Sequence, residues 1–159
     1  MDDAVARVEA ALRELGIAST PMVFDRSTST AEEAAAAVGC ELGQIVKTLV
    51  FVADGRYVLV LAAGDRRVDP ASLARLLGMP RKRLRMATPA EVLAATGFEV
   101  GGVPPVGHRQ RFDVIVDESL ARFATVWAAA GAPNAVFAVE PGELVRAARG
   151  QWAAIAQER

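Results

Sequence analysis

Two features of the sequence have the residue types to do chemistry, and the first is the segment 101–108, GGVPPVGH. It gathers three glycines, two prolines and the only histidine of the chain, His108, into eight residues. Glycine opens backbone conformations that other residues avoid, and proline fixes φ and removes an N–H donor, so this segment is predicted to be a loop of fixed shape. Such a loop is either a plain surface turn or a backbone cradle that a ligand approaches closely.

The second feature is Lys47, which stands in the run QIVKTLVF at the predicted junction between a helical turn and an apolar strand. A lysine in this position either extends its ammonium group to solvent or holds it in a cleft. The spacing of the neighbouring residues leaves both interpretations open.

The usual catalytic and cofactor-binding patterns are missing from the sequence. A serine nucleophile needs a placed base, and no GxSxG elbow accompanies the single histidine. No GxGxxG or Walker pattern follows a strand. The single cysteine, Cys40, is expected to be a small buried apolar residue, and one cysteine with one histidine predicts no internal disulfide, no metal site and no cofactor.

The overall charge does not predict a nucleic-acid partner, because 18 basic and 19 acidic residues leave a net charge of −1. Locally, however, basic residues form three clusters, which are either solvated faces or parts of one phosphate-binding patch. The clusters are Arg66 with Arg67, then Arg81, Lys82, Arg83 and Arg85, then Arg109 with Arg111.

The helices and strands predicted from the sequence, which must position these residues, indicate an α+β fold. A chain of 159 residues is expected to form a single domain, 1–159. Helices are predicted up to Gly16 and over 31–39, 70–78, 89–97 and 141–150, and strands over 48–53, 57–63, 112–120, 124–130 and 135–140. The dipeptide Asp54-Gly55 between two apolar β-branched runs predicts a hairpin, so the sheet is expected to be mixed or mainly antiparallel and surrounded by helices.

The apolar runs are too short for a membrane helix, which needs roughly 20 residues. The N-terminal segment MDDAVARVEAALRELG is acidic at its start and amphipathic, unlike a signal peptide. A soluble cytoplasmic protein is therefore expected.

The sequence resembles the YbaK/prolyl-tRNA synthetase-associated domain family, which comprises trans-acting aminoacyl-tRNA deacylases and the related editing domain of bacterial prolyl-tRNA synthetases. The resemblance runs from the capped helix TAEEAAAAVG to the closing helix. Lys47 in QIVKTLVF matches the lysine of the family, and Gly101 and Pro105 match its GxxxP loop. FATVWAAAGAPNAVFAV resembles a later strand-loop-strand of the family, with Gly131 in the loop.

The resemblance implies hydrolysis of an amino acid wrongly esterified to the terminal adenosine of a tRNA. Aminoacyl-tRNA is then the expected partner, an aminoacyl-tRNA synthetase is a further candidate partner, and the predicted catalytic residues are Lys47 and Gly101. Lys47 would hold the 3′-terminal nucleotide, and loop amides would stabilise the oxyanion of an already activated ester. The predicted substrate-binding residues are Gly102, Val103, Pro105, Gly107, His108, Gly131 and Asn134, with His108 supportive and not the general base.

The sequence departs from some members of the family at Ala128, Ala129 and Ala130, where relatives carry polar groups, and in the following loop GAPN, where others carry a histidine. These departures leave the edited amino acid open, and a small one such as alanine, serine or threonine is expected. Two other functions stay open: a noncatalytic module that binds tRNA or a nucleotide, and a regulatory protein that docks on a synthetase.

Overall fold

The computed structural model of the chain describes residues 3–159. The helices are α1 Asp3–Glu14, α2 Ala31–Val38, α3 Pro70–Leu77, α4 Pro89–Thr96 and α5 Pro141–Ala148. The strands are β1 Met22–Val23, β2 Ile45–Ala53, β3 Arg56–Ala63, β4 Arg66–Val68, β5 Leu84–Met86, β6 Asp113–Asp117, β7 Val126–Ala129, β8 Ala135–Val139, β9 Gly150–Ala153 and β10 Ala156–Glu158. Short 3-10 turns occupy Leu42–Gln44, Arg81–Arg83 and Glu118–Arg122.

The central hairpin forms where the sequence predicts it. β2 and β3 pair antiparallel from Val46 opposite Ala63 to Ala53 opposite Arg56. Asp54 and Gly55 both have positive φ, 50° and 86°, which is the geometry of the two-residue turn that suits the twist of a hairpin.

The main sheet is mixed and has the order β1-β8-β7-β2-β3-β6-β9. β5 also pairs with β2, on the same edge as β7 but further along the strand. β7 runs parallel to β2, β6 runs parallel to β3, and β9 runs parallel to β6. β4 and β10 form a separate antiparallel pair. This architecture, with helices packed around a mixed sheet, confirms the predicted α+β class.

Alternating side chains of β3 face two apolar cores on opposite sides of the sheet. Leu59 and Leu61 lie in the core that buries α1, α4 and α5, whereas Val58 and Val60 lie in the core that buries α3. A third, smaller cluster packs α2 against β2 and β8, and Cys40 lies half-buried at its margin.

The short strands β1, β4, β5, β9 and β10 are missing from the sequence-based assignment. The predicted closing helix over 141–150 was also too long, because α5 ends at Ala148 and Gly150 begins β9. A Cβ on Gly150 would lie 2.8 Å from a side-chain methyl of Val116, so β9 approaches β6 closely at this position. Among the described residues, no helix is long and apolar enough to cross a bilayer.

Candidate functional site

A cavity of about 530 Å³ lies where the central strands part, and we call it the first cavity. β7 pairs with β2 only at Ile45 and Val46, and β5 pairs with β2 only from Phe51 onward. The intervening segment of β2 therefore has no strand partner on that edge. The first cavity is lined by residues 45–49 of β2, 127–129 of β7, 28–32 at the start of α2, and the loop residues Val100, Gly101 and Val103.

Lys47 contributes the ammonium group of the first cavity. It is the third residue of β2 and lies inside the strand, not at the helix-to-strand junction expected from the sequence. Its side chain is half-buried, and Nζ donates a hydrogen bond to the main-chain carbonyl of Arg66. Burial, and after it the positive charge of Arg159, lowers the pKa of Lys47 below its usual 10.5, while nearby carboxylates led by Asp117 act in the opposite direction. Lys47 is thus a cation held within the site and not a side chain extended freely into water.

The glycine-rich loop brings main-chain donors to the same cavity. Gly101 has φ 95°, and a Cβ at this position would lie 2.9 Å from the Cβ of Ser29. Within residues 3–159, the amide groups of Gly101 and Val103 donate no hydrogen bond, whereas the amide of Gly102 donates to the carbonyl of Glu99 at 3.0 Å. Gly101 and Val103 therefore line the cavity with N–H groups that have no hydrogen-bond partner within residues 3–159, whereas the amide of Gly102 is already used.

Behind the cavity wall, tight backbone contacts hold the loop in place. Gly131 donates from its N–H to the carbonyl of Gly102 at 2.9 Å. A Cβ on Gly102 would lie 2.8 Å from the nitrogen of Ala132, so no larger residue fits at this position. Asn134 donates from its side-chain amide to the carbonyl of Phe24 at 2.9 Å. Gly102, Gly131 and Asn134 do not line the first cavity, and their contacts fix the shape of the loops around it.

Pro105, Gly107 and His108 lie elsewhere, on a second cavity of about 340 Å³. The ring of His108 makes edge-to-face contacts with Phe98 and Phe112, with ring centroids 5.9 and 5.4 Å away. Burial lowers the pKa of His108 below its usual value, against the effect of two nearby main-chain carbonyls. Of the nine predicted site residues, the structure brings only Lys47, Gly101 and Val103 to the first cavity.

The first cavity also has polar residues that the sequence-based assignment missed. Of the run STST before α2, only Thr30 was used for the sequence-based assignment, as the first residue of the capped helix TAEEAAAAVG. Arg159 has no neighbouring pattern that marks it, because the fold alone brings it to the cavity. The polar side chains added to the site in this way are Thr28, Ser29, Thr30, Glu32, Thr48 and Arg159. Arg66 and Arg67, the first basic cluster of the sequence, also line the cavity.

A cap of α2 stiffens the wall formed by these hydroxyl groups. The carboxylate of Glu33 accepts hydrogen bonds from the hydroxyls of Ser27 and Ser29 at 3.0 and 3.1 Å and from the N–H of Thr30 at 3.2 Å. These bonds, that from Ser27 first, lower the pKa of Glu33 below its usual value. Because Ser29 also contacts the position where a Gly101 side chain would lie, this network and the loop 101–103 define one rim of the cavity.

Comparison with known proteins gives consistent matches for this chain. The family model described as the aminoacyl-tRNA editing domain matches residues 25–147. YwhH of Bacillus subtilis (strain 168), an uncharacterized protein, is 39% identical over 122 residues, which are 76% of each chain. EbsC of Enterococcus faecalis (strain ATCC 700802 / V583), named as a candidate Cys-tRNA(Pro)/Cys-tRNA(Cys) deacylase, is 30% identical over 128 residues, 79% of this chain and 76% of EbsC.

A synthetase matches over a smaller region. The proline–tRNA ligase of Solidesulfovibrio magneticus (strain ATCC 700980 / DSM 13731 / RS-1) is 45% identical over 78 residues, which are 49% of this chain but only 13% of the ligase. Among solved structures, a candidate trans-editing enzyme for prolyl-tRNA synthetase superposes with a TM-score of 0.92 at 43% identity and covers 99% of both chains. The hypothetical protein APE2540 superposes with a TM-score of 0.87 at 33% identity, over 95% of this chain and 99% of the other.

Proposed function

The chain belongs to the aminoacyl-tRNA editing domain family, and from this premise we propose that it is a deacylase that hydrolyses the ester of tRNAs carrying a wrong, small amino acid. Its membership confirms the family predicted from QIVKTLVF and GGVPPVGH. The proposal rests on one observation: Lys47 lines the same cavity as Gly101 and Val103, whose amides have no hydrogen-bond partner within residues 3–159.

This arrangement suits the hydrolysis of an activated ester. Water attacks the ester carbonyl carbon, negative charge develops on the carbonyl oxygen, the bond to the ribose oxygen breaks, and the amino acid and the tRNA leave. Preformed N–H donors directed at the developing oxyanion lower the barrier, and removing one such donor typically costs about 10²–10³-fold in turnover. Because the amide of Gly102 already donates a hydrogen bond to the Glu99 carbonyl, we assign the role of oxyanion donor to the amides of Gly101 and Val103.

Lys47 is proposed to bind the tRNA terminus. An ammonium group beside a phosphate or ribose oxygen makes a charge-assisted hydrogen bond, which is stronger than a bond between neutral groups. Its present acceptor, the carbonyl of Arg66, keeps Nζ in the cavity before substrate arrives. A neighbouring ribose hydroxyl of the substrate helps to move protons, so the protein needs no catalytic triad.

The shape of the first cavity favours a small amino acid. A volume of about 530 Å³ lies within the range of small-ligand sites, and the terminal adenosine must fill a large part of it. The β7 wall contributes Ala128 and Ala129 beside Trp127, whose indole N–H is the side-chain donor of this wall. Small residues on one wall favour a small substrate side chain, because a site of this kind rejects bulky side chains by exclusion.

A panel of mischarged tRNAs tests the proposal. The likeness to part of a proline–tRNA ligase favours tRNAs charged by that synthetase as the first substrates, with alanine, serine, threonine and cysteine esters compared against the correct proline ester. We expect loss of one or more small-residue esters above the spontaneous rate, with the proline ester spared. If no ester is lost faster than in buffer, the deacylase proposal is wrong and a noncatalytic tRNA-binding module takes its place.

A further inference from the structure

The basic clusters differ in how their charges are compensated. In the cluster 81–85, Arg85 binds both carboxylate oxygens of Glu91 at 2.7 and 2.9 Å, and Arg83 pairs with Asp54 at 3.6 Å. Arg66 of the first cluster pairs with carboxylates on either side, at 3.5 and 3.7 Å. These pairs neutralise Arg66, Arg83 and Arg85 locally. The remaining basic residues of the clusters form no ion pair within residues 3–159: Arg67, Arg81, Lys82, Arg109 and Arg111.

The third cluster gathers uncompensated arginines around the second cavity. Arg109 and Arg111 line this cavity, and the fold adds Arg149 from the end of α5. All three side chains are exposed, and within residues 3–159 none of them lies within ion-pair distance of a carboxylate. Three guanidinium groups that share one concave surface, without a carboxylate, create a local positive potential that attracts an anion.

The backbone of Arg149 is a second and independent observation. Arg149 adopts φ 54° at the C-terminal cap of α5, a left-handed conformation that disfavours any residue with a Cβ. The other four helices of the described chain have glycine with positive φ at or just after the same point. Arginine at this position carries a conformational strain that glycine would avoid, which motivates a test for a role of its side chain.

We propose that the second cavity, through Arg109, Arg111 and Arg149, binds backbone phosphates of the tRNA whose 3′ end occupies the first cavity. This inference rests on the proposed function. Guanidinium groups bind phosphate oxygens bidentately, and three of them from two segments of the chain match consecutive phosphates better than a single free anion.

The two cavities share one loop, because Val103 lines the first cavity and Pro105 lines the second. A tRNA strand carries one phosphate for each nucleotide. On this proposal, the phosphates of nucleotides that precede the esterified adenosine lie at the arginines. The loop 101–111 thus contributes to ester chemistry at one end and to phosphate binding at the other.

The first test compares two substrates of the Arg109→Ala/Arg111→Ala variant of the full chain. With aminoacyl-tRNA we expect KM to rise about 10-fold or more at unchanged kcat, and with 2′(3′)-O-aminoacyl-adenosine, which has no phosphate, we expect no change. The slope of log affinity against log salt should become shallower by about 0.7–0.9 for each arginine removed. Arg13→Ala/Arg75→Ala removes the same charge from exposed positions that line neither cavity, and it should behave as the parent protein.

The second test uses Arg149→Gly, which removes the side chain and relieves the left-handed strain. We expect an equal or higher melting temperature together with a KM for aminoacyl-tRNA that is about 3- to 10-fold higher. A purely structural role for Arg149 predicts a change in melting temperature with KM unaltered, and that result would overturn its part in the site.

Direct binding of uncharged tRNA separates failure of the inference from failure of the proposed function. If the parent hydrolyses no ester but binds tRNA in a salt-dependent way that the double variant loses, the function is wrong and the phosphate site stands. If the parent is an active deacylase and the variants keep its KM, tRNA affinity and salt slope, the phosphate site is wrong and the function stands. An equal loss of turnover on aminoacyl-adenosine also overturns the site, because it shows damage to the first cavity.

Discussion

Replacing Lys47 by alanine removes the only ammonium group that lines the first cavity within residues 3–159. The side chain is half-buried, and Nζ is fixed by its hydrogen bond to the carbonyl of Arg66, so little of its free energy of binding is spent on ordering the group when substrate arrives. A hydrogen bond from a charged group is worth about 1.5–3 kcal/mol. Its loss should therefore lower turnover of mischarged tRNA by about 10- to 150-fold, at about 1.4 kcal/mol for each factor of ten.

Stability should change much less than turnover. The carbonyl of Arg66 loses one donor, which costs about 1 kcal/mol or a melting temperature lower by about 2–4 °C in a domain of this size. Lys47→Met is the matched variant, because it keeps the apolar stem and removes only the charge and the donor. Lys47→Arg should recover only part of the activity, because the planar guanidinium group keeps the charge but differs in shape from the compact ammonium group.

Steady-state deacylation by the three variants, with melting temperatures as the folding control, decides the role of Lys47. Turnover within about twofold of the parent in folded Lys47→Ala or Lys47→Met would refute the reasoning, since about 1.5 kcal/mol is the least that a charged hydrogen bond should contribute. The pH dependence of stability gives a further check. Because folding lowers the pKa of Lys47 below 10.5, the unfolded chain binds more protons between that lowered pKa and 10.5. The free energy of unfolding of the parent, relative to Lys47→Met, should therefore rise as pH rises through this interval.

Three further substitutions separate catalytic from structural roles. Gly101→Ala should lower stability by about 1–2 kcal/mol and also lower turnover, because residue 101 has φ 95° and the added Cβ would lie 2.9 Å from Ser29. The control Gly78→Ala, also at positive φ but with open space around it, should lower stability alone. Equal turnover in the two variants would contradict the amide assignment. His108→Ala should lower stability, because it loses two aromatic contacts worth about 0.5–1.5 kcal/mol each, but it should keep the kcat of the parent. A folded variant with kcat reduced about 100-fold or more would show that the histidine is a general base. Asp117→Ala leaves a buried amide of β3 without its acceptor and removes the cap of a 3-10 turn, so urea unfolding should show a loss of about 2–5 kcal/mol. A loss below about 1 kcal/mol would show that the pocket of Asp117 admits water.

Local signals in the sequence predicted the parts of the fold that local physics controls. Thr30 and Thr88, each followed three residues later by glutamate, form capping boxes at the predicted starts of α2 and α4, and Asp69 caps α3 before a proline. Each of these signals acts within four residues along the chain, so no knowledge of the tertiary structure is needed to interpret it.

The short strands could not be predicted because their pairing partners specify them. β9 has four residues with no alternation, and it exists because Gly150 fits against the side chains of β6. β1 has two residues, both exposed, and is defined only by its register with β8. For segments this short, tertiary contacts decide the conformation and propensity does not.

The same distinction explains the result for the candidate site. Residue types predicted the loop, and the family resemblance singled out Lys47, but neither predicted the division of GGVPPVGH between two cavities. Which side of the loop each residue faces depends on the hydrogen bond between Gly102 and Gly131, which lies in a different loop much further along the chain. A sequence pattern identifies the segment, and only the packing assigns its residues to a cavity.

That packing also sets a condition on any experiment on this loop. A Cβ added at Gly102 or at Gly131 would lie closer than 3 Å to main-chain atoms of another segment, so a substitution at either glycine must shift the backbone that joins the two cavity-lining parts of the loop. We expect such variants to change turnover and tRNA affinity together, so they do not distinguish the two cavities. The arginines at the far end of the loop make no contact with this backbone clamp, and Lys47 belongs to a different strand. Binding of the terminal nucleotide and binding of the backbone phosphates are therefore separable through these side chains, because we expect Lys47 to act on the first and Arg109 and Arg111 to act on the second.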